Sequence, residues 1–324
     1  MPSTHMIALD AMGGDFGPEV IVPGAAISLT RHPNLRFKLF GDQSRINAVL
    51  GQHPLLAERS EIVHTDAAIA MDAKPSQAIR QGRTSSMWLA IQSVADGDCN
   101  VVISAGNTGA LMAMSKLVLR PISDIERPAI AALWPTVRNE CIVLDVGANI
   151  GANASQLCDF ALMGAAMARA LFHLDRPSVG LLNVGSEEIK GMEEVKQAHS
   201  ILREMDKLPI DYQGFVEGHE IGQGRVDVVV VEGFAGNIAL KTAEGTARQI
   251  SQYLRDAMTR SVMSRVGAFL AQGGFRTLKS KMDPRRVNGG TFLGLNGLAV
   301  KSHGGTDALG FASAIDIGQD MVES

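Results

Sequence analysis

The run Val228-Val229-Val230-Val231-Glu232-Gly233-Phe234-Ala235-Gly236-Asn237 passes from four consecutive β-branched residues, through a glycine-spaced turn, into a helical pattern. Apolar residues on consecutive positions predict a strand covered on both faces, as in a parallel sheet with crossover helices above and below it. The same unit recurs along the chain. Short aliphatic runs predict further strands over 6–9, 37–40, 101–103, 129–134, 142–146 and 179–182. Between them, apolar residues at helical spacing predict helices over 18–30, 76–94, 108–119, 156–172, 192–205, 238–258 and 306–321. Strands alternating with helices give an α/β fold with a mostly parallel sheet.

Length and composition fit that reading. The 324 residues are 46% hydrophobic and 20% charged, with 5% aromatics and 34 glycines, a balance of aliphatic strands and glycine turns. No low-complexity linker divides the chain, so 1–324 reads as a single domain. The one composition shift is the segment 246–286, where nine Lys or Arg stand against two Asp in a chain whose net charge is -4. It reads as a basic helical excursion before the last strands. An overall negative chain gives no reason to expect nucleic acid. Cys99, Cys141 and Cys158 lack metal-ligand spacing and read as core residues, and no metal or cofactor is expected. With no signal-peptide pattern and no apolar run of about 18 to 20 residues, the expected location is cytoplasmic.

In parallel sheets, ligands bind beyond the carboxyl ends of the strands. Glycine-dense segments fall there: Asp10 to Pro18 with Gly13, Gly14 and Asp15; Ser104 to Ala110 with Asn107, Thr108 and Gly109; and Asn183 to Glu187 with Gly185 and Ser186. Further examples are Glu232 to Asn237 with Gly236, Asn288 to Gly297 with Gly289 and Gly290, and Ser302 to Gly305. Ala105-Gly106-Asn107 and Ala235-Gly236-Asn237 both follow a strand and precede a helix, whose start offers free N–H groups and a positive dipole end to an anion. Several such loops on one sheet edge predict an anion site. The chain lacks the nucleotide P-loop, the Gly-x-Ser-x-Gly elbow and the dinucleotide Gly-x-Gly-x-x-Gly after its first strand. Without a covalent nucleophile, the simplest chemistry is direct attack by a bound oxyanion held by donors and cations.

The segments Leu9-Asp-Ala-Met-Gly-Gly-Asp15, Lys74-Pro-Ser-Gln-Ala78, Gly106-Asn-Thr-Gly-Ala110, Leu144-Asp-Val-Gly-Ala-Asn149, Asn183-Val-Gly-Ser-Glu187 with Lys190-Gly191, and Gly233-Phe-Ala-Gly-Asn237 resemble the PlsX family of phosphate acyltransferases. The resemblance implies a homodimer of Rossmann-like α/β/α sandwich subunits, related in fold to phosphotransacetylases and isopropylmalate-type dehydrogenases. It implies that inorganic phosphate attacks a fatty acyl thioester on acyl carrier protein. The acyl phosphate product then enters phospholipid synthesis through a membrane-bound glycerol-3-phosphate acyltransferase, with peripheral membrane contact. A phosphotransacetylase acting on acyl coenzyme A is the alternative.

On that basis Lys190 is the expected phosphate cation, and Asn237, at a helix start, orients phosphate or the acyl oxyanion. Asn107 and Thr108 act likewise in the sister loop. Asp10 and Asp15 support their loop, since a carboxylate repels phosphate, and Glu187 pairs with Lys190. His303 is the candidate proton donor to the departing thiolate. The basic segment, apolar at helical spacing with Arg on its other face, is the candidate surface for the acidic carrier or for anionic lipid.

Overall fold

The computed structural model describes residues 4–205, 208–281 and 289–324, without the side chains of 276, 277 and 279–281. Arg285 and Arg286 of the basic segment therefore lie outside the described residues, as do the side chains of Arg276, Lys279 and Lys281.

The chain begins with β1 (Met6–Asp10), α1 (Pro18–Arg31), β2 (Arg36–Gly41), α2 (Gln43–Leu50), α3 (Pro54–Ala57) and β3 (Ser60–His64). It continues through α4 (Pro75–Gln81), α5 (Ser86–Ala95), β4 (Val101–Ser104), α6 (Thr108–Val118), β5 (Ala129–Pro135), β6 (Glu140–Leu144) and α7 (Ala154–Phe172). Then come β7 (Ser178–Asn183), α8 (Glu193–Glu204), β8 (Asp211–Glu217), α9 (Gly218–Ile221) and β9 (Val228–Val230). Three helices follow, α10 (Gly233–Thr259), α11 (Val262–Leu270) and α12 (Gln272–Lys281), before β10 (Gly290–Leu293), β11 (Leu298–Lys301) and α13 (Ala308–Glu323).

Among the described residues, eleven strands join one sheet in the order β3-β2-β1-β4-β11-β10-β5-β6-β9-β7-β8. Helices cover both faces. Val229 and Val143 belong to the core on one face, which continues across the sheet to Val102 beneath Met87 of α5 and Leu111 of α6. Val228 and Val230 enter the opposite face with Phe160 and Ala161 of α7. On that opposite face, the first strands are covered by Ile21 and Val22 of α1 and by Phe311 and Ile315 of α13. The consecutive valines are thus shared between two cores, which is why they need no polar alternate.

The expectation that the functional loops gather on one carboxyl edge is corrected by the strand directions. β3, β2, β1, β4 and β11 run parallel to one another, as do β6, β9, β7 and β8. Between the two groups, the β11–β10, β10–β5 and β5–β6 pairings are all antiparallel. Three reversals leave the two parallel groups pointing in opposite senses. A twist of the usual ~20 to 25° per strand turns the sheet by roughly 100 to 125° over the five steps from β4 to β9. That rotation turns the two sets of carboxyl ends away from strict opposition, and α10 spans between them, from its cap after β9 to Lys241 near Lys301.

Three helices differ from their expected bounds for local reasons. The predicted 76–94 helix is two: α4 ends at Gly82, and Ser85 starts α5 by accepting the Trp88 N–H at 3.2 Å. The helix expected from 238 begins at Gly233, because the Glu232 carboxylate caps it. The last one, expected from 306, begins at Ala308 on an Asp307 cap. The edge strands β3 and β8 escape sequence reading because each is only half covered and carries polar residues on its open side.

Helix α10 stays beside the body through Leu240 and Lys241, and its later turns and α11 project from it. Gly233 and Gly236 are the buried residues of α10, and α11 has none. Tyr253, Met263, Phe269 and Leu270 stand 64 to 80% exposed on this arm, so its apolar stripe is uncovered in the isolated chain.

Candidate functional site

The loops after β1, β4 and β11 form one set. Asp10 is buried and accepts hydrogen bonds from Ser86 Oγ and Ser104 Oγ, both at 2.6 Å, while burial pushes its carboxyl up from the ordinary value. A side chain at Gly13 would place its Cβ 2.7 Å from Asp10 Oδ2 and 2.8 Å from Gly106 N, so only glycine lets the loops meet here. Asp15 N donates to Gly304 O at 3.0 Å, and Ser302 N to Ser104 O at 2.9 Å, tying the set together.

Asn107 is the cap of α6. Its Oδ1 accepts from Ala110 N at 2.9 Å, and its Nδ2 donates to Met71 O at 2.7 Å and Ala73 O at 3.0 Å. Cap and strap together use both ends of the amide, leaving the exposed Thr108 and Gly109 as the accessible groups of this turn.

Lys301, the last residue of β11, reaches into the same set, donating from Nζ to Ala105 O at 3.2 Å and to Ser302 O. Burial brings its ammonium down to about 8; Asp10 and Asp15 oppose that shift and Lys241 adds to it. His303 is held below the ordinary imidazole value, first by desolvation and then by Lys241.

The second set follows β6, β7 and β9. Asp145 is buried, and its carboxylate accepts from the backbone N–H groups of Ile130, Gly147, Ala148 and Asn149 at 2.7 to 3.1 Å and from Asn149 Nδ2 at 2.9 Å. The start of α10 is likewise filled from within: Glu232 accepts from Phe234 N and Gly151 N at 2.9 Å and Ala235 N at 2.7 Å. Asn237 therefore lies inside the helix, not at its start, with Nδ2 donating to Val146 O at 3.2 Å. Gly236 lets α10 lie directly on Asp145, whose carbonyl oxygen is 1.9 Å from the position a Cβ would take.

Lys190 projects from the 184–191 loop, 48% exposed, with Nζ 2.8 Å from Glu187 Oε1. That carboxylate raises the Lys190 ammonium above its ordinary value. The loop is folded on itself: Asn183 Nδ2 donates to Lys190 O at 3.1 Å, and the Lys190 stem passes over Gly185. Ser186 is exposed beside it.

The structure thus brings Gly13, Gly14, Asp15, Asn107, Thr108, Gly109 and His303 into the first set. Asn183, Gly185, Ser186, Glu187, Lys190, Gly236 and Asn237 belong to the second. Helix α10 links the two, since Lys241, two turns in, acts electrostatically on Lys301 and His303. Gly289 and Gly290 are apart from the loops: their Cβ positions lie 2.9 Å from Ile317 Cδ1 and 2.7 Å from Ile130 Cγ2, a requirement of packing. Among the described residues no group of three His, Cys, Asp or Glu is placed to hold a metal, and no helix is long and apolar enough to cross a membrane.

The family model described as Fatty acid synthesis protein matches residues 5–324. The chain belongs to this family. It is 62% identical over 317 residues to the phosphate acyltransferase of Afipia carboxidovorans, covering 98% of this chain and 90% of that one. It is also 62% identical over 319 residues to the phosphate acyltransferase of Rhizobium meliloti, covering 98% and 92%. The fold is similar to that of a phosphotransacetylase from Streptococcus pyogenes, with TM-score 0.66 at 17% identity over 100% of this chain and 96% of that one. The protein is an enzyme of the PlsX type, an acyltransferase. For that family member, sequence reasoning passed over Lys301, Asp145 and Glu232. The signal for Lys301 was a lysine closing the apolar run Leu298-Ala-Val immediately before Ser-His-Gly-Gly.

Proposed function

We propose that the enzyme transfers a long-chain fatty acyl group from acyl carrier protein to inorganic phosphate, in the cleft between the two loop sets. The observation that carries this reading is the joining of two glycine-rich loop sets through α10, with Lys301, Lys241 and Lys190 as cations around an otherwise acidic scaffold. A phosphate dianion needs positive charge and N–H donors, and the exposed first turn of α6 with Thr108 and Gly109 supplies the donors. Lys190 meets phosphate as a point charge once Glu187 yields it, and Asn237 fixes the 146–149 loop on which the acyl carbonyl rests. The acyl phosphate feeds phosphatidic acid synthesis through a membrane-bound glycerol-3-phosphate acyltransferase. The working form is a homodimer, found in the cytoplasm and peripherally at the membrane.

Incubation with long-chain acyl carrier protein and phosphate is expected to give acyl phosphate, trapped as the hydroxamate. Product from acetyl coenzyme A but none from the carrier substrate replaces this reading with a phosphotransacetylase. Lys190→Ala is expected to lower the rate by about 10²-fold; a loss below tenfold removes Lys190 from the chemistry. The α10–α11 arm carries Arg260 and Arg265 beside its exposed apolar residues and is the proposed meeting surface for carrier or anionic lipid. Reversing both arginines to Glu should weaken carrier affinity or liposome binding. If both are unchanged, the arm has neither role.

A further inference from the structure

Acyl transfer from a thioester to phosphate has a proton requirement of its own. The attacking hydrogen phosphate must lose a proton as its oxygen bonds to the acyl carbon, and the departing thiolate must gain one as the C–S bond breaks. Alkyl thiols have pKa values near ~8.5, so an acid of similar pKa is suited to both transfers. His303 is the obvious candidate, and its environment works against it. Desolvation and the cations Lys241, Lys301 and Arg248 depress its pKa, against the pull of Glu244, so the ring holds a proton less readily than an ordinary imidazole.

Two residues earlier, Lys301 has what His303 lacks. Its ammonium sits at the carboxyl end of β11 against the loop that opens α6, held by Ala105 O and Ser302 O. Those two acceptors account for two of its three hydrogens. The charged groups facing it are Asp10 at the end of β1, Asp15 in the following loop and Lys241 from α10. It therefore stands where the first loop set meets the helix that leads to the second.

We propose that Lys301 is a catalytic residue that relays a proton from the attacking phosphate to the departing thiolate. The inference rests on the acyl-to-phosphate reading above. A phosphate oxygen forms the C–O bond, the C–S pair leaves on sulfur, and the ammonium N–H passes to sulfur. The neutral amine then takes the phosphate proton, so hydrogen phosphate and thioester become acyl phosphate and thiol with Lys301 restored. Burial supplies the matching acidity by bringing the ammonium down to about 8.

The test varies the leaving group. With wild-type enzyme and an alkyl thioester of the carrier, kcat/KM should fall as pH rises above about 8, because the protonated amine is consumed. With an aryl thioester, whose thiolate needs no proton, that fall should vanish. Lys301→Arg keeps the charge but does not release a proton. It should lose about 10²-fold or more on the alkyl donor and stay within tenfold of wild type on the aryl donor. Equal losses on both donors make Lys301 structural and overturn the proposal. So does a wild-type pH limb that is the same for both leaving groups, a result that needs no variant to fold. Failure of wild type to make acyl phosphate from either donor overturns the acyl-transfer reading and this inference together; product formed without the leaving-group pattern overturns the inference alone.

Discussion

Ala105-Gly106-Asn107 and Ala235-Gly236-Asn237 are the same tripeptide a few residues after a strand, and the molecule uses them in different ways. At the first, Asn107 is the cap, its neutral oxygen meets one N–H, and the exposed Thr108 begins the helix. At the second, Glu232 has already capped the helix with a full carboxylate, and the tripeptide falls one turn inside it. Gly106 there serves a loop-to-loop approach, whereas Gly236 serves a helix lying on a backbone carbonyl. The end of α10 thus contains its own anion. A glycine followed by asparagine marks a close approach, but the nearest acid decides whether the helix start is left for a ligand.

The strongest way to break this contrast is to remove the internal anion beneath Gly236. Asp145→Ala strands one buried and three partly buried backbone donors and should cost about 3 kcal/mol in urea unfolding. A loss under about 1 kcal/mol would mean that the carboxylate does not organise the second loop set. The twin glycines give the next test. Gly236→Ala meets a carbonyl oxygen that cannot retreat and should cost about 3 kcal/mol, whereas Gly106→Ala first meets the flexible Met87 Cε at 2.5 Å and should cost about 1. Equal costs would erase the distinction drawn between them.

Smaller effects sharpen the two caps. Asn107→Ala and Glu232→Ala should each lose about 1 kcal/mol. Asn107→Asp should keep the α6 cap yet release the strap to Met71 and Ala73, seen as faster proteolysis of the 65–74 segment. Unchanged cleavage would show that the strap is held elsewhere. Least of all, Glu187→Gln should leave the unfolding midpoint in urea unchanged, because the Lys190 pair is exposed. Its readout is the KM for phosphate, which should move if Lys190 serves that anion and stay fixed if it does not.

Much of the fold was legible because the buried strands spell themselves out: Val101 to Ser104 and Val228 to Val230 are buried at every position, and a solid apolar run permits no exposed reading. Gly82 hid a helix break, since a glycine in a helical pattern is tolerated as often as it terminates. Strand direction was not legible at all. Whether β6 runs with β4 or against it depends on β10 and β5, short strands whose pairing is settled by contacts far away in sequence. In the site, glycine-dense loops were visible as loops, but the acids that occupy their amides were not. Asp145 and Glu232 look in sequence like ordinary polar residues after a strand, and only geometry turns their carboxylates inward. Lys301 escaped for a related reason: nothing local to it reports the burial that makes its ammonium more acidic.

The strand order carries a consequence for how the chain is made. Strands β10 and β11, from residues 290–301, lie at the centre of the sheet between β4 and β5, although all nine other strands precede them in sequence. Until residues 290–301 leave the ribosome, the nascent protein holds two separate part-sheets, with β4 and β5 as unpaired edges. The closing hairpin then works as a keystone. It joins the halves and brings α13 onto α1, where Ser28 meets Asp316 at 2.8 Å and His5 meets Gln319 at 3.1 Å. Synthesis that stops short of that hairpin leaves the two loop sets on separate halves, with Lys301 and His303 not yet made.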